Sequence, residues 1–150
     1  MKFTDEEDFR EYLESVDRVL FYGAGGMGRN LYFYLKRHEW ERKLPFFIVT
    51  TKNTETFCGI PVRDVSSLDE EERKIQVVIA TRQNFHEGIR RSLSDERVRN
   101  VHVLSEELLN EMERLANQFY RFDFETCRKR HEIWGQRKQR AWEIWSQARA

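Results

Sequence analysis

One segment near the amino terminus carries most of the information about the fold: Val19-Leu20-Phe21-Tyr22-Gly23-Ala24-Gly25-Gly26-Met27-Gly28. Its apolar first half is typical of a buried strand, and the residues that follow it repeat apolar side chains at helical spacing. Between these two parts, the spacing G-x-G-x-x-G is met at Gly23, Gly25 and Gly28. The segment therefore reads as a strand, a tight glycine turn and the start of a helix.

This order of elements predicts an anion site, because backbone N–H groups and the positive end of the helix dipole point at one place. Gly23 would permit the tight turn and Gly25 would let a pyrophosphate approach the backbone. Gly28 would let the helix pack closely on the strand. We therefore predict a Rossmann-like nucleotide site, with a loop that contains Gly23, Ala24, Gly25, Gly26, Met27 and Gly28.

Short apolar runs alternate with helical patterns through the first hundred residues. Five runs predict strands, at about 18–22, 45–49, 59–62, 76–80 and 101–104. Such alternation is typical of a doubly wound, parallel α/β sheet, and right-handed crossovers are compatible with the strand order 3-2-1-4-5. Pro61 predicts that the third strand lies at an edge. We expect one Rossmann-like domain over residues 1–105.

From residue 106 onward the strand pattern stops, and apolar residues recur at alternating spacings of three and four. This spacing predicts one or two long helices with an apolar seam. We expect 106–150 to be a helical extension that packs on the domain or on a second subunit, and we favour a homodimer through these helices. From Arg121 onward, eight basic residues stand against four acidic ones, which predicts attraction to an acidic surface.

Composition narrows the partners and the compartment. The chain has 26 basic and 26 acidic residues, so no overall field favours nucleic acid. No run reaches the ~18–20 apolar residues of a membrane span, and the acidic amino terminus is unlike a signal peptide. Cys58 and Cys127 have neither metal-site nor disulfide spacing. We expect a cytoplasmic protein without a metal site.

The second wall of the predicted cleft follows the fourth strand. In a doubly wound sheet the ligand lies across the carboxyl ends of the strands at the point where the winding reverses. This adds Thr81, Arg82 and Asn84 to the candidate binding residues, although Asn84 also suits a helix cap. Arg29, just after the glycine loop, could grip a phosphate or be surface charge.

The residues after the second strand depart from the dinucleotide pattern. That pattern places an acid there to bind a ribose hydroxyl, whereas this chain has Thr50, Thr51 and Lys52. Either threonine could bind a ribose hydroxyl. Lys52 could face a 2′-phosphate, which would favour NADP, or be a solvated loop lysine. A nucleotide sugar would remove the need for the acid.

No catalytic constellation emerges from the sequence. Tyr32 and Lys36 match the Tyr-x-x-x-Lys spacing of short-chain reductases, but they lie on the helix directly after the glycine loop. In those reductases the pair lies much later in the chain, so chance spacing on an amphipathic helix is the better explanation. We expect binding without catalysis by this chain alone.

The order of the landmarks adds a resemblance. They are Gly-Ala-Gly-Gly-Met-Gly, Phe47-Ile48-Val49-Thr50, Gly59-Ile60-Pro61-Val62, Ser66-Ser67-Leu68-Asp69 and Val77-Val78-Ile79-Ala80-Thr81. Over about 18–105, this order resembles the small Rossmann-like domains attached to bacterial surface-polysaccharide enzymes. One example is the amino-terminal domain of the nucleotide-sugar acetyltransferases, and similar modules accompany glycosyltransferases and methyltransferases.

The resemblance implies a nucleotide-sugar ligand and an accessory or sensor role in sugar metabolism, beside a glycosyltransferase or another sugar-polymer enzyme. In the acetyltransferases it resembles, catalysis belongs to a following left-handed β-helix, and this chain has no hexapeptide repeats. Only the loop from Gly23 to Gly28 carries over residue by residue. Two alternatives stay open: an NAD(P)-binding oxidoreductase fragment or subunit, and a structural module without a ligand.

Overall fold

The computed structural model describes residues 1–118 and has an α/β fold. Within this range seven strands form one sheet: β1 (Lys2–Phe3), β2 (Val19–Tyr22), β3 (Phe47–Val49), β4 (Thr56–Phe57), β5 (Ile60–Asp64), β6 (Gln76–Ile79) and β7 (Val101–Leu104). The same range holds four α-helices: α1 (Glu6–Ser15), α2 (Gly26–Arg37), α3 (His86–Asp95) and α4 (106–118). Short 3₁₀ turns lie in several of the connections.

The sheet has the strand order β1-β7-β6-β2-β3-β5-β4, and only the pair β4–β5 is antiparallel. This differs from the predicted five-strand layout, because β1 and β4 add an unpredicted strand at each edge. Each has two residues, which is too short for a periodic pattern to show. Between these edges, the five predicted strands occur in the relative order 3-2-1-4-5.

The predicted edge position of Pro61 is wrong, because β5 lies between β3 and β4. Pro61 stands opposite Thr56 in a short hairpin. The hairpin turn consists of Cys58 and Gly59, with φ angles of 54° and 76°. Two successive positive φ angles suit the tight turn that joins twisted antiparallel strands. The chain thus folds back to cover an edge that the proline was expected to mark.

The sheet separates two apolar cores, because successive side chains of a strand point to opposite faces. In β2, Val19 and Phe21 belong to the core that also contains side chains of α1, α2 and α4. Leu20 and Tyr22 belong to the other core, with Leu93 of α3. Helices therefore cover both faces of the sheet, which is the arrangement expected of a doubly wound fold.

The chain divides into two compact units, Met1–Ala116 and Asn117–Ala150. The first unit includes most of α4, in which Leu108, Leu109 and Met112 are buried. The first turns of the segment predicted as an extension are thus part of the core. The predicted aromatic seam and dimer helices beyond residue 118 lie outside the described residues. None of the helices within residues 1–118 combines the length and apolarity needed to cross a bilayer.

Candidate functional site

The chain turns sharply at Gly23, directly after β2. Its φ is 118°, a conformation that side-chain-bearing residues rarely adopt. The Gly23 N–H donates to the Ile48 carbonyl at 2.9 Å, which ties the turn to β3. A Cβ at Gly23 would lie 3.0 Å from the Ala80 carbonyl oxygen. Glycine is therefore required here both by the turn and by the close approach of the end of β6.

Gly28 lets α2 pack on the turn. A Cβ at this position would lie 2.2 Å from the carbonyl oxygen of Gly23, far inside van der Waals contact. It would also lie 3.4 Å from a ring carbon of Phe47 on β3. Because the nearest atom belongs to the backbone, no side-chain rotation could relieve the clash. The close helix–strand packing predicted for Gly28 is confirmed.

Gly25 and Gly26 differ from the other two glycines of the loop. A Cβ at either position would meet no atom within 4 Å, and neither residue has a positive φ. Gly25 is the N-cap of α2 in an extended conformation, with φ −135° and ψ −159°, which any residue adopts. Neither the turn nor the packing requires glycine here.

No side chain caps the amino end of α2, so its first backbone N–H groups are uncapped. Helix α1 has an Asp5 carboxylate that accepts from the Asp8 N–H at 2.8 Å, whereas Gly25 offers α2 no capping side chain. The first turn of α2 contains no acidic residue. The first N–H groups of a helix have no partner within it, and their end of the dipole is positive. This end can therefore accept an anion.

The remaining residues of the loop have mixed environments. Ala24 and Met27 are half-buried against the core, while Arg29 is exposed. Burial raises the pKa of the Cys58 thiol, and the charges of Arg29 and Lys36 act against that increase. The basic side chains of α2 therefore lie close enough to the β4–β5 turn to influence it.

The three candidates after β3 lie at the same edge of the sheet as the glycine loop. Thr50 and Thr51 are exposed, and the Thr50 hydroxyl shares a hydrogen bond with the Tyr22 hydroxyl at the end of β2. The Lys52 ammonium pairs with Glu55 at 3.1 Å. Its charge is thus already matched by a neighbour, although such exposed pairs contribute little free energy.

An acidic residue at the end of β5 lies beside the end of β3, after which the sequence has no acid. Asp64 ends β5 and stands in register with Val49, the last residue of β3. Its half-buried carboxylate accepts from the Lys52 N–H at 2.5 Å. Asp64 was not predicted, because the dinucleotide pattern places the acid directly after β3. The sequence does carry a signal for it: an acid follows the next apolar run, and parallel neighbouring strands bring their carboxyl ends to one edge of the sheet.

The β6 side of the site is divided between the loop and α4. The Thr81 methyl group would lie 3.2 Å from a Cβ at Gly23, so this residue is in place beside the loop. The Arg82 guanidinium instead donates to side chains of α4: Glu106 at 3.1 Å, Asn110 at 2.9 Å and Glu113 at 3.3 Å. The structure thus directs Arg82 to α4.

Asn84 does not cap the next helix. Helix α3 begins at His86, its N-cap is Phe85, and no side chain caps it. Asn84 lies exposed in a 3₁₀ turn, Gln83–Phe85, which comes between β6 and α3 and displaces the helix start. The His86 ring, 2.6 Å from the Thr81 carbonyl oxygen, holds this connection against the end of β6. The capping alternative is therefore wrong.

Comparison of the chain with protein families, with curated proteins and with solved structures finds no match. The residues themselves must therefore carry the functional interpretation. Within residues 1–118, no group of three or more His, Cys, Asp or Glu side chains is placed to hold a metal ion.

Proposed function

We propose that this chain binds a nucleotide or a nucleotide sugar at the glycine loop. The observation that carries the proposal is the contrast within the loop. Gly23 and Gly28 are explained by the turn and by packing, but Gly25 and Gly26 are not. Gly26 is the first residue of α2, where no contact in the described chain requires glycine. Access of a phosphate to the backbone N–H groups would favour residues without side chains at both positions.

The chemistry at the end of β3 and β5 supports a ribose with free hydroxyls. A carboxylate such as that of Asp64 accepts hydrogen bonds from a ribose diol, and the Thr50 hydroxyl can take part beside it. A 2′-phosphate would instead meet the negative charge of Asp64, and the ammonium of nearby Lys52 already pairs with Glu55. We therefore favour a nucleotide sugar or NAD over NADP.

We further propose that the chain is a non-catalytic accessory or sensor in bacterial polysaccharide or sugar metabolism. The resemblance of residues 18–105 to modules of surface-polysaccharide enzymes supports this role. A glycosyltransferase or another sugar-polymer enzyme is the partner that it implies. The oxidoreductase alternative requires a nicotinamide to be held near a proton donor. The pair with reductase spacing, Tyr32 and Lys36, lies on α2, where Tyr32 is partly buried against the core. This position does not favour the oxidoreductase alternative.

A thermal-shift series on the full chain tests the proposal, with NAD, NADP, UDP-sugars and CDP-sugars as ligands. A ligand at about 100 times its dissociation constant stabilises the fold by ~2.7 kcal/mol. For a domain of this size, that corresponds to a rise of roughly 5–10 °C in melting temperature. Gly25→Val should abolish this rise, because the new side chain occupies the space that a phosphate must enter. The free protein should stay folded with a modestly lower melting temperature, because the Cβ meets no neighbour but valine is a poorer N-cap than glycine.

Gly88→Val is the matched control, because a Cβ at Gly88 also meets open space but lies on α3. It should leave the ligand response intact. A melt that no nucleotide shifts would favour the structural module without a ligand. Sustained oxidation of NADH or NADPH across aldehydes, ketones and sugar nucleotides, lost in Gly25→Val, would favour the oxidoreductase alternative.

A further inference from the structure

A concave region lies at the amino edge of the sheet, at the other end of the strands from the glycine loop. Its volume is about 420 Å³. It is lined by the turn before β6 and the connection between α3 and β7, through Glu70, Arg73, Lys74, Arg97, Arg99 and Asn100. A volume of this size falls in the range of small-molecule sites, about 300–1,000 Å³.

The two lining segments are held together by the sheet. The Asn100 side-chain amide donates to the Lys74 carbonyl oxygen at 2.7 Å, and the Val77 N–H donates to the Asn100 carbonyl oxygen at 2.8 Å. These bonds continue the pairing of β6 with β7 into the segments that precede both strands. The cavity wall is therefore fixed by the same hydrogen bonds that build the fold.

The end of α3 fixes the two arginines of the second segment. Arg97 has a φ of 62°, and its N–H donates to the Ser94 carbonyl oxygen at 3.0 Å, which closes the helix. Val98, between the arginines, is buried in the core. Because Val98 anchors the segment, Arg97 and Arg99 both stand exposed on the outer side. The backbone positions of both arginines therefore follow from the way α3 ends.

The lining of this cavity carries an excess of positive charge. Four basic side chains line it against the single carboxylate of Glu70. Lys74 pairs with Glu71 at 3.2 Å, and Arg73 lies 3.8 Å from Glu96. Among residues 1–118, neither Arg97 nor Arg99 has an ion pair.

Arg73 adds an unmet hydrogen-bonding requirement. Its Nε atom is buried and has no acceptor within the described part of the chain. A buried donor without a partner is unfavourable, but the Nε atom has no exposed surface through which a ligand in the cavity could reach it. A concave surface that concentrates unpaired positive charge also raises the local concentration of anions. The unpaired positive charge of Arg97 and Arg99 therefore points to an oxyanion ligand.

We propose that this cavity binds a small ligand with at least two neighbouring oxyanions, of the pyrophosphate class. Arg97 and Arg99 would supply planar, bidentate donors, and Lys74 a further positive charge in the lining. The site is separate from the glycine loop: one lies at the carboxyl ends of the strands and the other at their amino ends. The two proposals therefore stand or fall independently.

Isothermal titration of the full chain with inorganic pyrophosphate tests the proposal, at about 0.15 M salt so that exposed charges are screened beyond ~8 Å. The titrated protein carries Gly25→Val, because the glycine loop is itself proposed to accept phosphates. In that background, Arg97→Asn combined with Arg99→Gln should weaken binding by about tenfold or more, the loss expected for charge-assisted hydrogen bonds. Asparagine is chosen because it tolerates the left-handed backbone of Arg97.

Arg90→Gln combined with Arg91→Gln is the matched control, since it removes the same charge from exposed positions of α3 outside the cavity lining. It should change the affinity by less than about twofold if the local geometry matters. Equal weakening by both pairs would overturn the proposal, because it would show attraction to overall charge. Absence of pyrophosphate binding in the Gly25→Val protein would also overturn it, and would leave the nucleotide thermal shift of the unmodified chain as a separate result.

Discussion

The glycines of the loop differ in whether the fold requires them. Gly28 leaves no space for a methyl group, whereas Gly25 leaves space that nothing in the described chain fills. One motif thus contains positions at which the fold requires glycine and positions at which it leaves space for a side chain. The same substitution, made at different glycines, can separate these two kinds of position.

Gly28→Ala should destabilise the fold by about 3 kcal/mol, at the upper end of the usual cost of overpacking. The reason is the 2.2 Å approach of the new Cβ to the Gly23 carbonyl oxygen, which only a backbone shift can relieve. Gly88→Ala, on an exposed face of α3, should instead stabilise it by roughly 0.5–1 kcal/mol. Urea unfolding measures both. Equal stability of the two variants would contradict this account of Gly28.

His102 makes the stability depend on pH. Its Nε2 atom lies 2.7 Å from the Gln76 side-chain oxygen, and its Nδ1 atom is buried without a partner in the described chain. Burial lowers the pKa of His102 below its ordinary value of 6.5, because a second proton would sit on the buried Nδ1. The unfolded chain then binds the proton more readily. The contribution of His102 to stability should therefore be complete above pH 6.5 and decrease as the pH falls below that value.

His102→Phe should reduce this loss between pH 7 and pH 5, since the phenyl ring can still contact Phe3 and Tyr12 but does not titrate. The measurement is the free energy of unfolding at both pH values, in the variant and in the unmodified chain. Part of the dependence should remain, because burial also lowers the pKa of His38. The same loss in both proteins would show that His102 is not responsible.

At the scale of elements, a lysine distant in sequence closes helix α1. No basic residue lies in the last turn of α1. Lys43, in the 3₁₀ turn before β3, donates from its ammonium to the carbonyl oxygens of Leu13, Glu14 and Val16, at 2.8, 2.9 and 2.9 Å. A cation at this end complements the helix dipole and satisfies carbonyl groups that have no partner within the helix.

Lys43→Met should therefore lower the free energy of unfolding by about 1–3 kcal/mol, because it removes charge-assisted hydrogen bonds and keeps the apolar stem. Lys36→Met, on an exposed position of α2, should change it by less than about 0.5 kcal/mol. Denaturant titration compares the two. Amide exchange should also show faster opening of the end of α1 in Lys43→Met alone, and unchanged exchange would argue against the capping role.

The same scale shows what the sequence could reveal. Runs of four or more apolar residues, such as Val19–Tyr22, located their strands because buried parallel strands have a continuous pattern. The two-residue strands β1 and β4 carry no such pattern, and pairing with neighbours alone makes them strands. Asp64 and Arg82 depend on tertiary contacts too: one is brought to the end of β3 by β5, and the other is drawn to α4. Local sequence contains neither relation.

At the scale of the whole molecule, the charges are unevenly distributed although they sum to zero. The residues from Arg121 onward are predominantly basic, and the rest of the chain carries the compensating acidic excess. Within the body, the amino edge of the sheet is an exception, because basic side chains gather there in one cavity. Opposite charges on two parts of one chain steer association more than they add affinity.

The whole chain should form a homodimer through the segment beyond residue 118. The sequence there repeats large apolar residues at helical spacing, among them Tyr120, Phe124, Trp134 and Trp145, and such a patch usually marks an interface. Burying each aromatic side chain contributes about 1.5–3 kcal/mol, so a few of them could hold two copies together.

Light scattering on the intact chain should give the mass of a dimer. A chain ending at Gln118, which keeps the whole of the first compact unit, should give that of a monomer. Monomers in both cases, with the tail tryptophans fully accessible to a fluorescence quencher, would remove the support for this interface.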